Sequence, residues 1–169
     1  MPLNVKRWIF TSLILCLLAP PLGAAEWPHP GTRSLTSQKS FAELVTAVTG
    51  AIQDNGMFAV TKASASAGAK RRGIDIAGNM VIGVFRNDYA VRMLQVSIES
   101  GIEAPLRFYL TANADGGATL TYRTPSALFA PYKSAALDDM AAELDAIFAA
   151  IADQAAAPIC RKSMPTRSS

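Results

Sequence analysis

Between Phe41 and Ile52 the apolar residues Phe41, Leu44, Val45, Val48, Ala51 and Ile52 recur every three or four positions, which gathers them on one face of a helix. Ser40-Phe41-Ala42-Glu43 has the form of a capping box. In that motif the serine hydroxyl accepts from the amide three residues on, and the glutamate carboxylate accepts from the serine amide. Asn55-Gly56 supplies the residue types that close a helix in the left-handed region. A second stripe, Met140, Leu144, Ile147, Phe148 and Ile151, runs through residues 137–152, with Asp138 and Asp139 at its positive end. Two lesser helices are expected. One covers 63–72, alanine-rich and ending on Lys70-Arg71-Arg72 before Gly73; the other covers 89–100, where Tyr89, Val91, Leu94, Val96 and Ile98 repeat less regularly.

The strands are shorter. Residues 80–85 form a continuous apolar run, the pattern of a central strand, whereas 32–39 alternates loosely and 57–61 leaves the stop of the first helix. Residues 106–111 and 118–123 flank Asn113-Ala114-Asp115-Gly116-Gly117, and glycine after aspartate marks a hairpin. Phe108, Tyr109 and Tyr122 suit its pleated surface, and Pro125 ends it. The order is strand, helix, strand, helix, strand, helix, hairpin, helix. It predicts an α+β domain: a two-layer sandwich with a mainly antiparallel sheet and the helices packed on one face.

Ahead of this pattern stands a leader. Lys6 and Arg7 precede an apolar run over 8–18, Pro20-Pro21 breaks it, and Gly23-Ala24-Ala25 offers small residues for a signal peptidase. A spanning helix needs about 20 apolar residues, more than this run contains. Residues 1–25 are therefore expected to be a signal peptide cleaved before Glu26, sending the protein to the bacterial periplasm or the medium, with no stable membrane span afterwards. An envelope-associated structural protein held by an uncleaved leader is the competing reading. Leu15 is too bulky for Cys16 to be a lipoprotein site. Residues 26–31 read as a proline-rich linker, 32–155 as the domain, and 156–169 as a disordered basic tail.

Composition narrows the partners. A chain of 169 residues fits one domain, and 50% hydrophobic residues with 17% charged exclude a disordered chain. The sequence pI of about 9.0 belongs to the ends: Lys6 and Arg7 lie in the leader, and Arg161, Lys162 and Arg167 in the tail. The domain between them is slightly acidic, which excludes a nucleic-acid groove. Cleavage would leave Cys160 as the single thiol, so no intrachain disulfide can form. It is either an exposed tail thiol or the site of an intermolecular bridge in an oxidising compartment.

From about Ser40 to Thr124 the chain resembles the bacterial domain-of-unknown-function 302 family. The resemblance rests on Ser40-Phe41-Ala42-Glu43 opening the first helix, Asp54-Asn55-Gly56 closing it, and the turn over 69–73. It continues in the apolar strand ending at Phe85 and in Ala104-Pro105-Leu106-Arg107-Phe108 before an aspartate-glycine hairpin. The family usually has phenylalanine-glycine-asparagine-proline after the central strand, where this chain has Phe85-Arg86-Asn87-Asp88. The resemblance implies a small α+β sandwich without an established activity, and it carries over no catalytic residue.

The only histidine, His29, lies between two prolines ahead of the domain. Zinc sites of the usual ligand set and Ser-His-Asp or Cys-His catalysis are thereby excluded, and no metal or cofactor is expected. Met57, Met80, Met93 and Met140 read as core filler rather than haem or copper ligands. Lys70-Arg71-Arg72 is the densest charge cluster, and arginines offer planar forks to carboxylate or phosphate. Arg86-Asn87-Asp88 leaves the end of a buried strand, a place where binding residues often sit. The candidate ligand-binding residues are therefore Arg72, Arg86, Asn87, Asp88 and Arg107, with Arg92 a further cation that could join them around one cavity. The expected function is a non-enzymatic exported binding or interaction module, self-associating through its sheet or a helix face, with a small anionic ligand as partner. The alternative is an enzyme acting on such a ligand through the Arg and Asp residues of the strand-end turn.

Overall fold

The computed structural model describes residues 27–158. Residues 1–26, with the expected signal peptide and its cleavage point, and residues 159–169 of the expected tail, with Cys160, lie outside the described residues. Within them the chain runs β1 (Thr32–Ser37), α1 (Phe41–Asp54), β2 (Phe58–Ala63), α2 (Ala65–Lys70), β3 (Asn79–Phe85), α3 (Asn87–Val96), β4 (Leu106–Ala112), β5 (Ala118–Arg123), α4 (Pro125–Phe129) and α5 (Ala135–Ala156).

Local chemistry accounts for the first helix. Ser40 and Glu43 form both bonds of the capping box, and Gly56 follows the C-cap Asn55 with φ +70°, a conformation that costs glycine little. The third helix is shorter than its apolar pattern suggests. Ser97 is extended, its hydroxyl accepts from the Ser100 amide, and its carbonyl accepts from the Ser100 hydroxyl at 2.8 Å. These local bonds compete with helix continuation and lead into a short 3-10 turn over Glu99–Glu103. Pro125 ends β5 as expected but also opens α4, where Thr124 is the cap and proline at the first helical position lacks only an amide with no partner there. The last helix begins two residues early and extends to Ala156, beyond the stretch its stripe delimits.

The sheet is antiparallel throughout, in the order β1-β5-β4-β3-β2. One face carries Ile82 and Val84, Phe108 and Leu110, Leu120 and Tyr122, all buried. Against it lie α1, through Leu44, Val48 and Ile52, and α5, through Leu137, Leu144, Phe148 and Ile151. Phe148 stacks on Phe108 with centroids 4.7 Å apart, and Tyr122 meets Phe108 edge-on at 5.3 Å. These residues form the core, and Met57, Met93 and Met140 fill its flank. The domain is the α+β two-layer arrangement that the element order implies. Among the described residues no helix is long and apolar enough to cross a membrane.

Among the described residues the second sheet face carries no helical layer. Its outward row runs Val81, Tyr109, Thr121 and Ser34 across four strands, and the row beside it contains Gly83, Arg107, Arg123 and Thr32. Asp and Glu are absent from every strand of the described residues.

Candidate functional site

Two arginine clusters flank the sheet, and their surroundings differ. The first grows from the turn after β3. Arg86 caps α3 and reaches forward to Asp88 with a bidentate contact, Nε to Oδ1 at 2.8 Å and Nη2 to Oδ2 at 3.0 Å. One helical turn on, Arg92 grips Glu143 of α5 with both terminal nitrogens at 2.8 Å. Tyr89 stands between them. Its ring lies 4.3 Å from the Arg86 guanidinium carbon and 5.3 Å from that of Arg92, and its hydroxyl donates to Glu143 at 3.1 Å. The hydrogen bonds from Arg92, then that from Tyr89, draw the Glu143 carboxyl down to about 2. Asp88 is likewise held below the ordinary carboxylate range by Arg86. Burial, and after it the bond to Glu143, raises the Tyr89 phenol. Beneath this cluster, Met57, Met93, Phe129 and Met140 enclose an apolar crevice of about 30 Å³, room for one or two waters. Every charge is matched within the cluster, so it ties α3 to α5 and leaves little to offer a ligand.

The second cluster lies on the bare sheet face, in a cleft of about 220 Å³. Its floor is built by strand alternation, since residues two apart point the same way. Arg107 and Tyr109 of β4 face outward while Leu106, Phe108 and Leu110 face the helices. One step beyond the Phe108–Tyr122 pair, the β4–β5 register sets Arg107 beside Arg123. Like charges on neighbouring strands repel, and neither guanidinium has a carboxylate partner among the described residues. Arg123 Nε is shielded from solvent and makes no hydrogen bond, and Nη2 makes only a 3.5 Å contact to the Ala127 carbonyl. A buried donor left unpaired is costly and calls for a missing partner.

The cleft wall comes from the segment before β1. Gly31 has φ +74°, and a Cβ there would collide with Ala127 and Thr124 of the α4 cap. Glycine lets the chain close on α4, where its carbonyl accepts from the Thr124 amide at 2.9 Å. The Thr32 hydroxyl then fastens the His29 carbonyl at 2.8 Å. Trp27 and His29 thereby line the cleft together with Val81 and Leu128. The stretch that reads as a linker in the sequence is docked and supplies part of the wall.

The structure separates the residues singled out from the sequence. Arg86, Asn87 and Asp88 share the start of α3, with Asn87 exposed and Asp88 bound to Arg86. Arg72 is exposed in the turn after α2. Arg107 alone among them lines the open-face cleft, and the Arg72, Arg86, Asn87, Arg92 and Arg107 set does not meet at one cavity. Its neighbours Arg123, Tyr109, Trp27 and His29 escape a reading by sequence adjacency. The hairpin carries the signal for two of them: with its turn at Asp115-Gly116, strand alternation puts Arg107 and Tyr109 on one face, and the register brings Arg123 beside Arg107.

Comparison with known proteins supports the architecture independently. The structure is similar to the crystal structure of an uncharacterized conserved DUF302 protein from Bacillus stearothermophilus, with a TM-score of 0.67 at 16% identity, covering 75% of this chain and 98% of that one. At that identity the likeness speaks for the fold. No curated protein matches the chain. The family described as domain of unknown function DUF302 matches residues 33–155, which hold every strand but the first residue of β1 and nearly all of α5. The chain belongs to the DUF302 family.

Proposed function

We propose that this protein is an exported, non-enzymatic binding domain that holds a small organic anion in the cleft on its open sheet face. One observation carries the reading: Arg107 and Arg123 stand side by side in a concave site with no carboxylate partner among the described residues. An anion entering there would relieve their repulsion and could accept from the orphaned Arg123 Nε. The lining contains cations, aromatic rings, hydroxyls and one imidazole, and neither carboxylate nor thiol. That composition suits retention of a ligand better than its conversion. Asp88 of the strand-end turn, which an enzyme reading would use, and Glu143 of α5 are already engaged by Arg86 and Arg92.

Isothermal titration of the purified protein with sodium acetate is the direct test. Arg107→Ala and Arg123→Lys should each weaken binding by tenfold or more, a loss of about 1.4 kcal/mol. Equal affinity in the wild type and both variants would place any binding elsewhere. Export rests on the tripartite leader. Amino-terminal sequencing of protein recovered outside the cytoplasm should begin at Glu26, and retention of residues 1–25 would support the anchored alternative.

A further inference from the structure

We infer that the ligand of the open-face cleft is an aromatic carboxylate, a planar ring bearing a carboxyl group, rather than an inorganic oxyanion or a sugar acid. This rests on the anion-binding reading of the same cleft and narrows it. The site combines paired cations with apolar and aromatic groups. Arg107 and Arg123 share a row of the sheet, and planar forks of this kind match a carboxylate with paired N–H donors. The same lining contains Val81, Tyr109, Leu128 and Trp27. Trp27 is 45% exposed and Tyr109 37% exposed, so two large rings present unused faces beside two unpaired cations.

Volume selects among anions. A cavity of roughly 150 Å³ holds one benzene ring, so a cleft of about 220 Å³ accepts a ring with a carboxyl group attached. Phosphate or sulfate would satisfy the arginines yet leave the apolar lining against water. A sugar acid would need polar partners for each ring hydroxyl, and the two threonine hydroxyls of the lining are already engaged. Thr121 shares a hydrogen bond with Ser34 at 2.9 Å, and Thr32 donates to the His29 carbonyl. An aromatic ring asks for no such partners and gains by stacking and by leaving water.

The test titrates the full chain with four probes: sodium benzoate, sodium acetate, inorganic phosphate and sodium glucuronate. Benzoate should bind at least tenfold more tightly than each of the others. Trp27→Ala should bring benzoate close to the acetate level while changing acetate less than twofold, because it removes the ring contact and leaves the arginines. Arg107→Ala should weaken benzoate and acetate alike. Acetate, phosphate or glucuronate binding as tightly as benzoate, with all of them lost in Arg107→Ala, overturns the aromatic class and leaves the anion reading standing. Absence of heat and of any rise in melting temperature with all four overturns both. Trp27 lies at the rim of the domain, and an unchanged melting temperature for Trp27→Ala without ligand would separate lost binding from lost folding.

Discussion

Arg86 and Arg92 each close on a carboxylate that the fold itself supplies, while Arg107 and Arg123 stand together on a sheet face without one among the described residues. In sequence Arg86 stands out, since it follows a buried strand and sits close to an aspartate. Its geometry turns that promise inward: Arg86 holds Asp88, Arg92 holds Glu143, and Tyr89 lies between the two guanidiniums. A cluster of charges is evidence of a ligand site only where the charges remain unspent. The sheet face meets that condition because its strands carry no acid among the described residues.

The contrast can be broken most forcefully at the two tyrosines, one in each region. Tyr89 is 8% exposed and touches Arg86, Arg92 and Glu143. Tyr89→Ala should lower unfolding free energy by about 3 kcal/mol, the lower end for truncating a buried aromatic ring. Tyr109→Ala removes a half-exposed ring from a face with no layer above it, so its cost should stay below about 1 kcal/mol. Urea denaturation of both variants decides the matter. Equal losses would mean that the open face is as structural as the α3–α5 contact.

Legibility from sequence follows the same division. The first helix was readable to its caps because Ser40, Glu43 and Asn55-Gly56 act within one turn of themselves. The hairpin was readable because its turn residues are adjacent. The end of α3 was not, since Ser97 and Ser100 stop the helix through bonds that an apolar periodicity does not register. The docked segment at Trp27 and His29 was not, since it depends on Gly31 meeting α4, which is nearly a hundred residues away in the chain. Arg107 was singled out from sequence, but its partner Arg123 is set by register, and the docking of two strands has to be carried through before the pair is seen. Arg86 and Asp88 stand out by adjacency in sequence, and that same adjacency lets them neutralise each other.

Acid titration sharpens the comparison. Glu143 has its pKa depressed from 4.5 to about 2 in the folded protein. Its contribution to stability is therefore fully present above the unfolded value near 4.5 and is lost as pH falls through about 2. In Glu143→Gln this proton linkage disappears, and the urea midpoint should fall less steeply between pH 4.5 and 2 than in the wild type. Arg107→Ala should keep the wild-type slope, because that arginine pairs with no carboxylate among the described residues. An unchanged slope in Glu143→Gln would mean that the Arg92 contact does not persist in solution.

The smallest effect is the most telling about the open face, because its sign is opposite to that expected of an ordinary structural residue. Arg107 and Arg123 are cross-strand neighbours of like charge, an arrangement that costs a few tenths of a kcal/mol relative to a neutral pair. Threonine keeps the β-branched outward row already present at Thr121 and Thr111. Arg107→Thr should therefore raise the unfolding free energy by about 0.3 kcal/mol in ligand-free buffer while weakening carboxylate binding. A double variant with Arg123→Thr separates repulsion from strand propensity: if repulsion is the cause, Arg107→Thr stabilises the wild type but not the Arg123→Thr background. Destabilisation by Arg107→Thr in both backgrounds would show that the arginine is held by contacts of its own, and the open face would then lose its distinction from the α3 cluster.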